Sequence, residues 1–138
     1  MTLSPLQLRQ QIRNGSMTSN TSGLCPGYVQ GNLCILPAEY ANDFLKFCHL
    51  NPKPCPIIGM SENPGDFRLK SLGKDIDLRT DIPQYRLFNH GQAEHQVTNI
   101  LDHWRDDLVA FVLGCSFSFE EALLADGLDV RNLTEGVN

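Results

Sequence analysis

The order of apolar and polar positions divides the chain into short alternating strands and helices. Leu108 to Leu113 is an uninterrupted apolar run that ends at Gly114. A run of this length predicts a strand covered on both faces, which is typical of a parallel or mixed sheet with helices packed against it. The sequence therefore predicts an α/β fold built on a mixed sheet with flanking helices.

Five further strands are predicted from apolar segments bounded by turn residues. Tyr28 to Leu36 forms the first, although Gly31 interrupts it, and Ile57 to Met60 forms a second short one. Tyr85 to Val97 is a hairpin pattern whose turn contains a glycine suited to a positive φ angle. Leu128 to Leu133 is a candidate for a last strand.

Three helices are predicted from capping residues and helical spacing. The first is capped by Ser4 and extends to Gly15, where a left-handed residue ends it. Pro37 opens the second helix, because a proline at the first helical position loses no hydrogen bond. The third is predicted to start at the Ser118-Phe119-Glu120-Glu121 capping-box pattern and to run to about Asp126.

Two segments are expected to be irregular. Asn51 to Pro56 contains three prolines and is a stiff connector, because proline removes a backbone donor and fixes φ. Ser61 to Asp77 is polar and contains glycine, so a surface loop is predicted there.

Composition and charge narrow the class of protein. The 138 residues fit one domain, taken here as a single α/β unit over 1–138, and 41% of them are hydrophobic and 20% charged. A net charge of −5 argues against a nucleic-acid partner. No apolar run approaches the ~20 residues that span a bilayer, so no membrane association is expected and the chain is predicted to be soluble.

The five cysteines, at positions 25, 34, 48, 55 and 115, form no CxxC pair. Their odd number does not suit a secreted disulfide scaffold, and their spacing does not suit a zinc site. We therefore expect reduced thiols in a cytoplasmic protein, with no metal site.

The turn after the buried apolar run holds the first set of candidate catalytic residues. Cys115, Ser116 and Ser118 follow the predicted strand directly and precede the predicted third helix. Free N–H groups at a helix start attract anions, and a thiol there has a lowered pKa. The alternative is that these side chains only cap the helix and pack.

A second set of candidates could bind an acidic substrate. Arg79, Thr80 and Arg86 lie close together along the chain, and a guanidinium group presents two parallel donors to a carboxylate. The alternative for these residues is a set of solvated ion pairs before Pro83.

Two further groups complete the candidates. Asp106 and Asp107 are adjacent carboxylates, which in a shared cleft would split their pKa values and supply an acid and a base. On the surface they would only flank the strand entry. Tyr28, Gln30 and Asn32 alternate along one predicted strand and could line a polar pocket together.

Several long motifs, taken in order, resemble the D-glutamate cyclase family, whose bacterial members are often called hydro-lyases. The similarity extends from the first helix to the end of the chain. The matching stretches are Pro26 to Leu33, Asn51 to Pro56, Asp77 to Arg86 and Trp104 to Leu123.

This resemblance implies a lyase that interconverts D-glutamate and 5-oxo-D-proline with loss or gain of water, without a cofactor. Family members are about twice this length, so the chain is similar to the N-terminal half of a larger fold with two subdomains. The implied partners are a small acidic metabolite and either a second copy of the chain or a missing C-terminal half.

The residues can be matched to this chemistry in outline. The turn from Cys115 to Ser118 would supply the donors that stabilise an oxyanion, and Arg79 or Arg86 would hold the α-carboxylate. Asp106 or Asp107 would move protons. The competing hypothesis is a non-catalytic module that only binds a small acidic metabolite.

Overall fold

The computed structural model describes residues 2–136. Within this range the chain combines β-sheets with flanking helices, which confirms the predicted α/β class. In chain order the elements are α1 Pro5–Arg13, β1 Gly31–Pro37, α2 Ala38–Leu50, β2 Ile57–Met60, β3 Tyr85–Asn89, β4 Gln92–Val97, a 3₁₀ turn at Leu101–His103, β5 Leu108–Gly114, α3 Ser116–Ala125 and α4 Arg131–Thr134.

Three strands form the main sheet in the order β1-β5-β2. Both outer strands pair antiparallel with β5, from Gly31 opposite Gly114 to Pro37 opposite Leu108 on one side. The outer strands therefore run in the same direction, with β5 between them and α2 connecting them. The hydrogen-bonded pairs are antiparallel, so the parallel pairing expected from the apolar run was wrong among the described strands.

β5 is buried on both faces, as its sequence predicts. Val109 and Phe111 face α2, where the Phe111 ring meets the Phe44 ring edge to face with centroids 5.0 Å apart. On the other face Ala110 packs with Leu69 and Leu78. This second face is thus covered by irregular chain rather than by a helix. A strand can therefore be buried on both faces here without belonging to a parallel sheet.

The segment from Ser61 to Asp77 is irregular as predicted, but part of it is buried. Ser61 continues β2 along β5: its N–H donates to the Ala110 carbonyl at 2.9 Å, and its Oγ accepts from the Ala110 N–H at 3.0 Å. Only 2% of Leu69 is exposed. The prediction of a surface loop was therefore wrong for these positions, because the segment covers one face of the sheet.

α1 begins and ends as predicted. Ser4 and Gln7 form a capping box, and Gly15 has φ +77° just after the helix. Leu8 and Ile12 pack with Met17 and Cys25 in a small core of their own. The helix is thereby held against the loop that follows it.

Two arginines of α1 bind the segment around residue 80. Arg9 forms a bidentate pair with Asp75 at 2.7 and 3.0 Å. Arg13 does the same with Asp81, at 2.5 and 2.6 Å, and the Asp81 side chain is 1% exposed. The first helix is therefore joined to the rest of the chain by charged hydrogen bonds.

The predicted hairpin is confirmed as β3 and β4. Its two turn residues, His90 and Gly91, have φ angles of +47° and +77°, as a type I′ turn requires. Tyr85 anchors the hairpin base, because its hydroxyl donates to the Leu78 carbonyl at 2.8 Å. Burial raises the pKa of Tyr85 well above its ordinary value.

Three predicted boundaries were wrong. β1 starts at Gly31, so Tyr28 and Gln30 precede the strand. α3 starts at Ser116 with Cys115 as its N-cap, so Ser118 lies inside the helix and forms no capping box. Residues 128–133 form no strand, and the short helix α4 occupies the second half of that segment.

Candidate functional site

A groove of about 970 Å³ lies between β1 and the β3–β4 hairpin. Its lining includes side chains from the loop before β1, from β1, from β3 and from the turn after β5. The sequence-predicted residues that line it are Gln30, Asn32, Arg86 and Cys115. The fold thus brings members of three separately predicted groups to one groove.

A second cavity, of about 550 Å³, also borders this turn. Three residues line both cavities: Asn32, Cys115 and Phe117. Ser116 lines only the second cavity. The end of β5 is therefore open to space that a small molecule can enter.

The backbone of this turn presents donors without acceptors. Cys115 is extended at φ −123° and ψ 169°, and α3 starts directly after it with no acidic residue in its first turn. Among the described residues, no acceptor takes a hydrogen bond from the N–H groups of Ser116, Phe117 or Ser118. These N–H groups and the helix dipole favour a negatively charged group.

The side chains of the turn have different roles. Ser116 Oγ donates to the Glu120 carboxylate at 2.8 Å. Ser118 Oγ accepts from the backbone N–H of Gln30 at 3.0 Å, so it positions the segment before β1. The half-buried Cys115 thiol makes no hydrogen bond with a described residue and borders both cavities.

The three residues predicted to bind an acidic substrate do not lie together in the structure. Arg79 forms a bidentate pair with Asp77 at 2.8 and 2.9 Å and lies 3.5 Å from the centroid of the Phe67 ring. The hydrogen bonds that Arg79 donates to the Asp77 carboxylate raise the pKa of Arg79 above its ordinary value. Thr80 donates to Asp81 at 3.0 Å, so neither residue is available to the groove.

Arg86 differs from Arg79 because it is exposed, borders the groove and forms no ion pair with a described carboxylate. A guanidinium group in this situation is free to bind a carboxylate of a ligand.

The alternating set of Tyr28, Gln30 and Asn32 is also divided. Tyr28 lies before the strand, is 56% exposed and does not line the groove. Gln30 Oε1 accepts from Thr21 Oγ1 at 2.7 Å, while Asn32 borders both cavities. Of the polar strand face that the sequence predicts, two residues border the groove: Gln30, just before β1, and Asn32, within it.

Asp106 and Asp107 lie at the opposite end of β5 from Cys115. The eight residue steps from 107 to 115 span about 26 Å at ~3.3 Å per residue of strand. Asp107 pairs with Arg105 at 2.8 Å, and that hydrogen bond lowers the pKa of Asp107 below its ordinary value. One small ligand therefore cannot contact these carboxylates and the turn together.

Sequence reasoning missed several residues that border the cavities. Lys53 lines the smaller one because the Gly114 N–H donates to the Pro56 carbonyl at 2.8 Å, which holds the connector against the end of β5. The pairing of β2 with β5 would have revealed this position. Glu94, Asp102 and His103 line the groove, and no motif around them indicated it.

The described residues include neither a metal-binding cluster nor a membrane-spanning helix. Over 2–136, no group of three or more His, Cys, Asp or Glu residues is placed to hold a metal ion. No helix in that range is long and apolar enough to cross a membrane.

Comparison with known proteins identifies relatives across almost the whole chain. A family model described as D-glutamate cyclase matches residues 109–138. A Xanthobacter autotrophicus protein named "Putative hydro-lyase" is 56% identical over 133 residues, which cover 96% of this chain and 48% of that protein.

Proteins from two further bacteria have similar values. One from Bordetella petrii, also named as a hydro-lyase, is 56% identical over 94% of this chain and 49% of its own length. One from Aliivibrio fischeri is 53% identical over 99% of this chain and 51% of its own length. The chain spans about half the length of the curated relatives it matches.

Proposed function

Because this chain belongs to the D-glutamate cyclase and hydro-lyase family, we propose that it binds a small acidic metabolite at the turn after β5. The proposed reaction interconverts D-glutamate and 5-oxo-D-proline with loss or gain of water. The observation that carries the proposal is that the N–H groups of Ser116 and Phe117, residues that line the cavities at this turn, have no acceptor among the described residues.

Cyclisation requires the amine of D-glutamate to attack the carbon of its own side-chain carboxyl group. A C–N bond forms, a tetrahedral oxyanion develops, and one oxygen leaves as water. The protein must hold two carboxylates, accept a proton from the ammonium group and stabilise the oxyanion. Backbone N–H groups that already point into a cavity stabilise such an oxyanion without reorganising.

The residues around the turn support a division of these tasks. The amides of Ser116 and Phe117 are donors for the reacting carboxyl group, and Lys53 adds a positive charge on the same side. Arg86, at the groove, is the candidate for the second carboxylate. Asp106 and Asp107 are too distant from the turn for the proton transfer first assigned to them, so we assign that step to neither.

The proposed reaction belongs to D-amino acid metabolism, and we propose the cytoplasm as its location. All five cysteines are free thiols. This supports a reducing compartment, because thiols in oxidising compartments are commonly paired.

One substitution isolates the amide donors from the serine side chain. Ser116→Pro removes the N–H at the first helical position, where proline fits, and Cys115 already has the extended conformation that a following proline requires. We expect the Kd for D-glutamate or 5-oxo-D-proline to rise about tenfold, the scale of one hydrogen bond to a charged group. Isothermal titration calorimetry measures it.

Ser116→Ala is the matched control, since it keeps the N–H and should bind within about twofold of the wild type. The paired substitution Ser116→Ala/Ser118→Ala tests whether the two hydroxyl groups contribute to binding. Ser71→Ala is its control, because Ser71 is an exposed serine outside the turn. Equal affinity in the Ser116→Pro and Ser116→Ala variants would remove the turn from the site.

A non-catalytic binding module is the second candidate function. It is favoured by the distance between the turn and the two carboxylates just before β5. Incubation of the purified chain with each compound, followed by chromatography, separates the two. Turnover supports the lyase, and saturable binding without turnover supports the module.

A further inference from the structure

Gln30 is held at two points beside the turn that follows β5. Its backbone N–H donates to Ser118 Oγ at 3.0 Å, and its side-chain Oε1 accepts from Thr21 Oγ1 at 2.7 Å. The first hydrogen bond places Gln30 next to the first turn of α3. The second fixes the side-chain amide, because a hydroxyl that donates to Oε1 turns Nε2 away from Thr21.

The Nε2 group of Gln30 is a donor without a protein acceptor. No acceptor within residues 2–136 takes a hydrogen bond from this nitrogen, although no enclosed side-chain nitrogen or oxygen in that range lacks a partner. Nε2 is therefore accessible, and both Gln30 and Thr21 line the groove. A donor that is already oriented binds an acceptor at little cost in side-chain entropy.

Donors for both oxygens of one carboxyl group select a carboxylate over a carboxamide. A carboxylate accepts at both oxygens, whereas a carboxamide has an NH₂ donor in place of one oxygen. Where the amides of Ser116 and Phe117 bind one oxygen and Gln30 Nε2 binds the other, the NH₂ of a carboxamide would meet a donor. The hydrogen bond would be lost and the carboxamide rejected.

We propose, on the basis of the function proposed above, that Gln30 is a specificity-determining residue and that Thr21 positions it. Gln30 Nε2 binds the reacting carboxyl group at the turn after β5, so the site accepts a ligand with a free side-chain carboxylate and rejects its amide. Thr21 acts through Gln30. Its hydroxyl keeps the amide from turning over and presenting Oε1 to the ligand.

Gln30→Glu tests the donor directly, because Glu has the same shape and replaces Nε2 with an acceptor. Isothermal titration calorimetry measures the Kd values of D-glutamate and D-glutamine. We expect the wild type to bind D-glutamate at least tenfold more tightly than D-glutamine, and Gln30→Glu to lower this ratio at least 30-fold. Gln92→Glu is the matched control, since it adds the same charge at an exposed position that does not line the groove, and it should keep the wild-type ratio.

Thr21→Val tests the positioning. Val has the shape of Thr without the hydroxyl, so the Gln30 amide can turn and present either atom to the ligand. We expect the ratio of Kd values to fall about fivefold, the scale of one neutral hydrogen bond. Thr21→Ser keeps the hydroxyl and should restore the ratio to within twofold of the wild type. Circular dichroism verifies that each variant is folded.

The possible results separate this inference from the proposed function. If Ser116→Pro weakens the binding of D-glutamate but neither Gln30→Glu nor Thr21→Val changes the ratio, the specificity role is overturned and the proposed function stands. Equal affinity of the wild type for the two ligands would also overturn the specificity role alone. A wild type that binds neither D-glutamate nor 5-oxo-D-proline would overturn both.

Discussion

β5 and the C-terminal arm, which comprises residues 115–136, are consecutive in the chain, yet they are held in opposite ways. Ala110 and Phe111 of β5 are fully buried, whereas α3 buries none of its residues. Dispersion and hydrophobic burial hold the strand, while the arm depends on hydrogen bonds that Ser118 and Glu121 accept from backbone N–H groups before β1. The difference teaches that the fold and the candidate site rest on separate sets of interactions.

The largest expected effect tests the packing of β5. Phe111→Ala removes a ring that is 0% exposed and contacts Phe44, so the free energy of unfolding should fall by about 3–5 kcal/mol. Phe119→Ala, in the arm, should change it by no more than about 0.5 kcal/mol. Urea denaturation measures both. Equal losses would mean that the arm is part of the core.

A smaller effect is expected where α1 binds the segment around residue 80. Asp81→Asn removes the charge that accepts two hydrogen bonds from Arg13, which should cost about 2 kcal/mol of the free energy of unfolding. Asp107→Asn is the control, because its pair with Arg105 is exposed and should contribute nothing measurable. A comparable loss in the control would show that charge alone, without burial, accounts for the effect.

The attachment of the arm can be weakened without unfolding the core. Glu121→Ala removes the acceptor for the Gly27 N–H, a loss of about 1 kcal/mol that should speed hydrogen exchange in α3 about fivefold. Exchange in β5 should stay unchanged. Glu62→Ala, at an exposed glutamate outside the arm, should alter neither element. Faster exchange in β5 would indicate that the arm and the sheet open together.

The smallest effect is a dependence of stability on pH. The hydrogen bond from Arg9 lowers the pKa of Asp75 below its ordinary value. The stabilisation is therefore complete above the unfolded-state pKa of about 3.9 and is lost as the pH falls through the folded-state pKa. Thermal unfolding measured between pH 6 and about 2.5 should show this loss of stability. The loss should be less steep in Asp75→Asn. It should be the same as in the wild type in Asp43→Asn, because the Asp43 carboxylate is exposed.

Local patterns were sufficient for much of the fold. The apolar run of β5, the cap at Ser4 and the turn at Gly91 are features that act over a few residues, and each element formed where predicted. The direction of strand pairing was not predictable in this way. It depends on α2 and the irregular segment at Leu69 covering the two faces of the sheet.

The candidate site shows the same limit. Ser118 and Glu121 match a capping box, but their side chains bind the backbone of Gln30 and Gly27, about ninety residues earlier in the chain. Sequence spacing cannot distinguish a local acceptor from a distant one. Lys53 was missed for the related reason that its place beside Cys115 follows from the pairing of β2 with β5.

The pairs that join α1 to Asp75 and Asp81 also constrain where synthesis of a working chain can begin. Met17 is the next methionine after Met1, and translation from it would yield a protein without Arg9 and Arg13. Asp81 would then be enclosed with no cation, and the apolar side of Met17 would lose Leu8 and Ile12. A chain without α1 would therefore fold less stably than one that contains it.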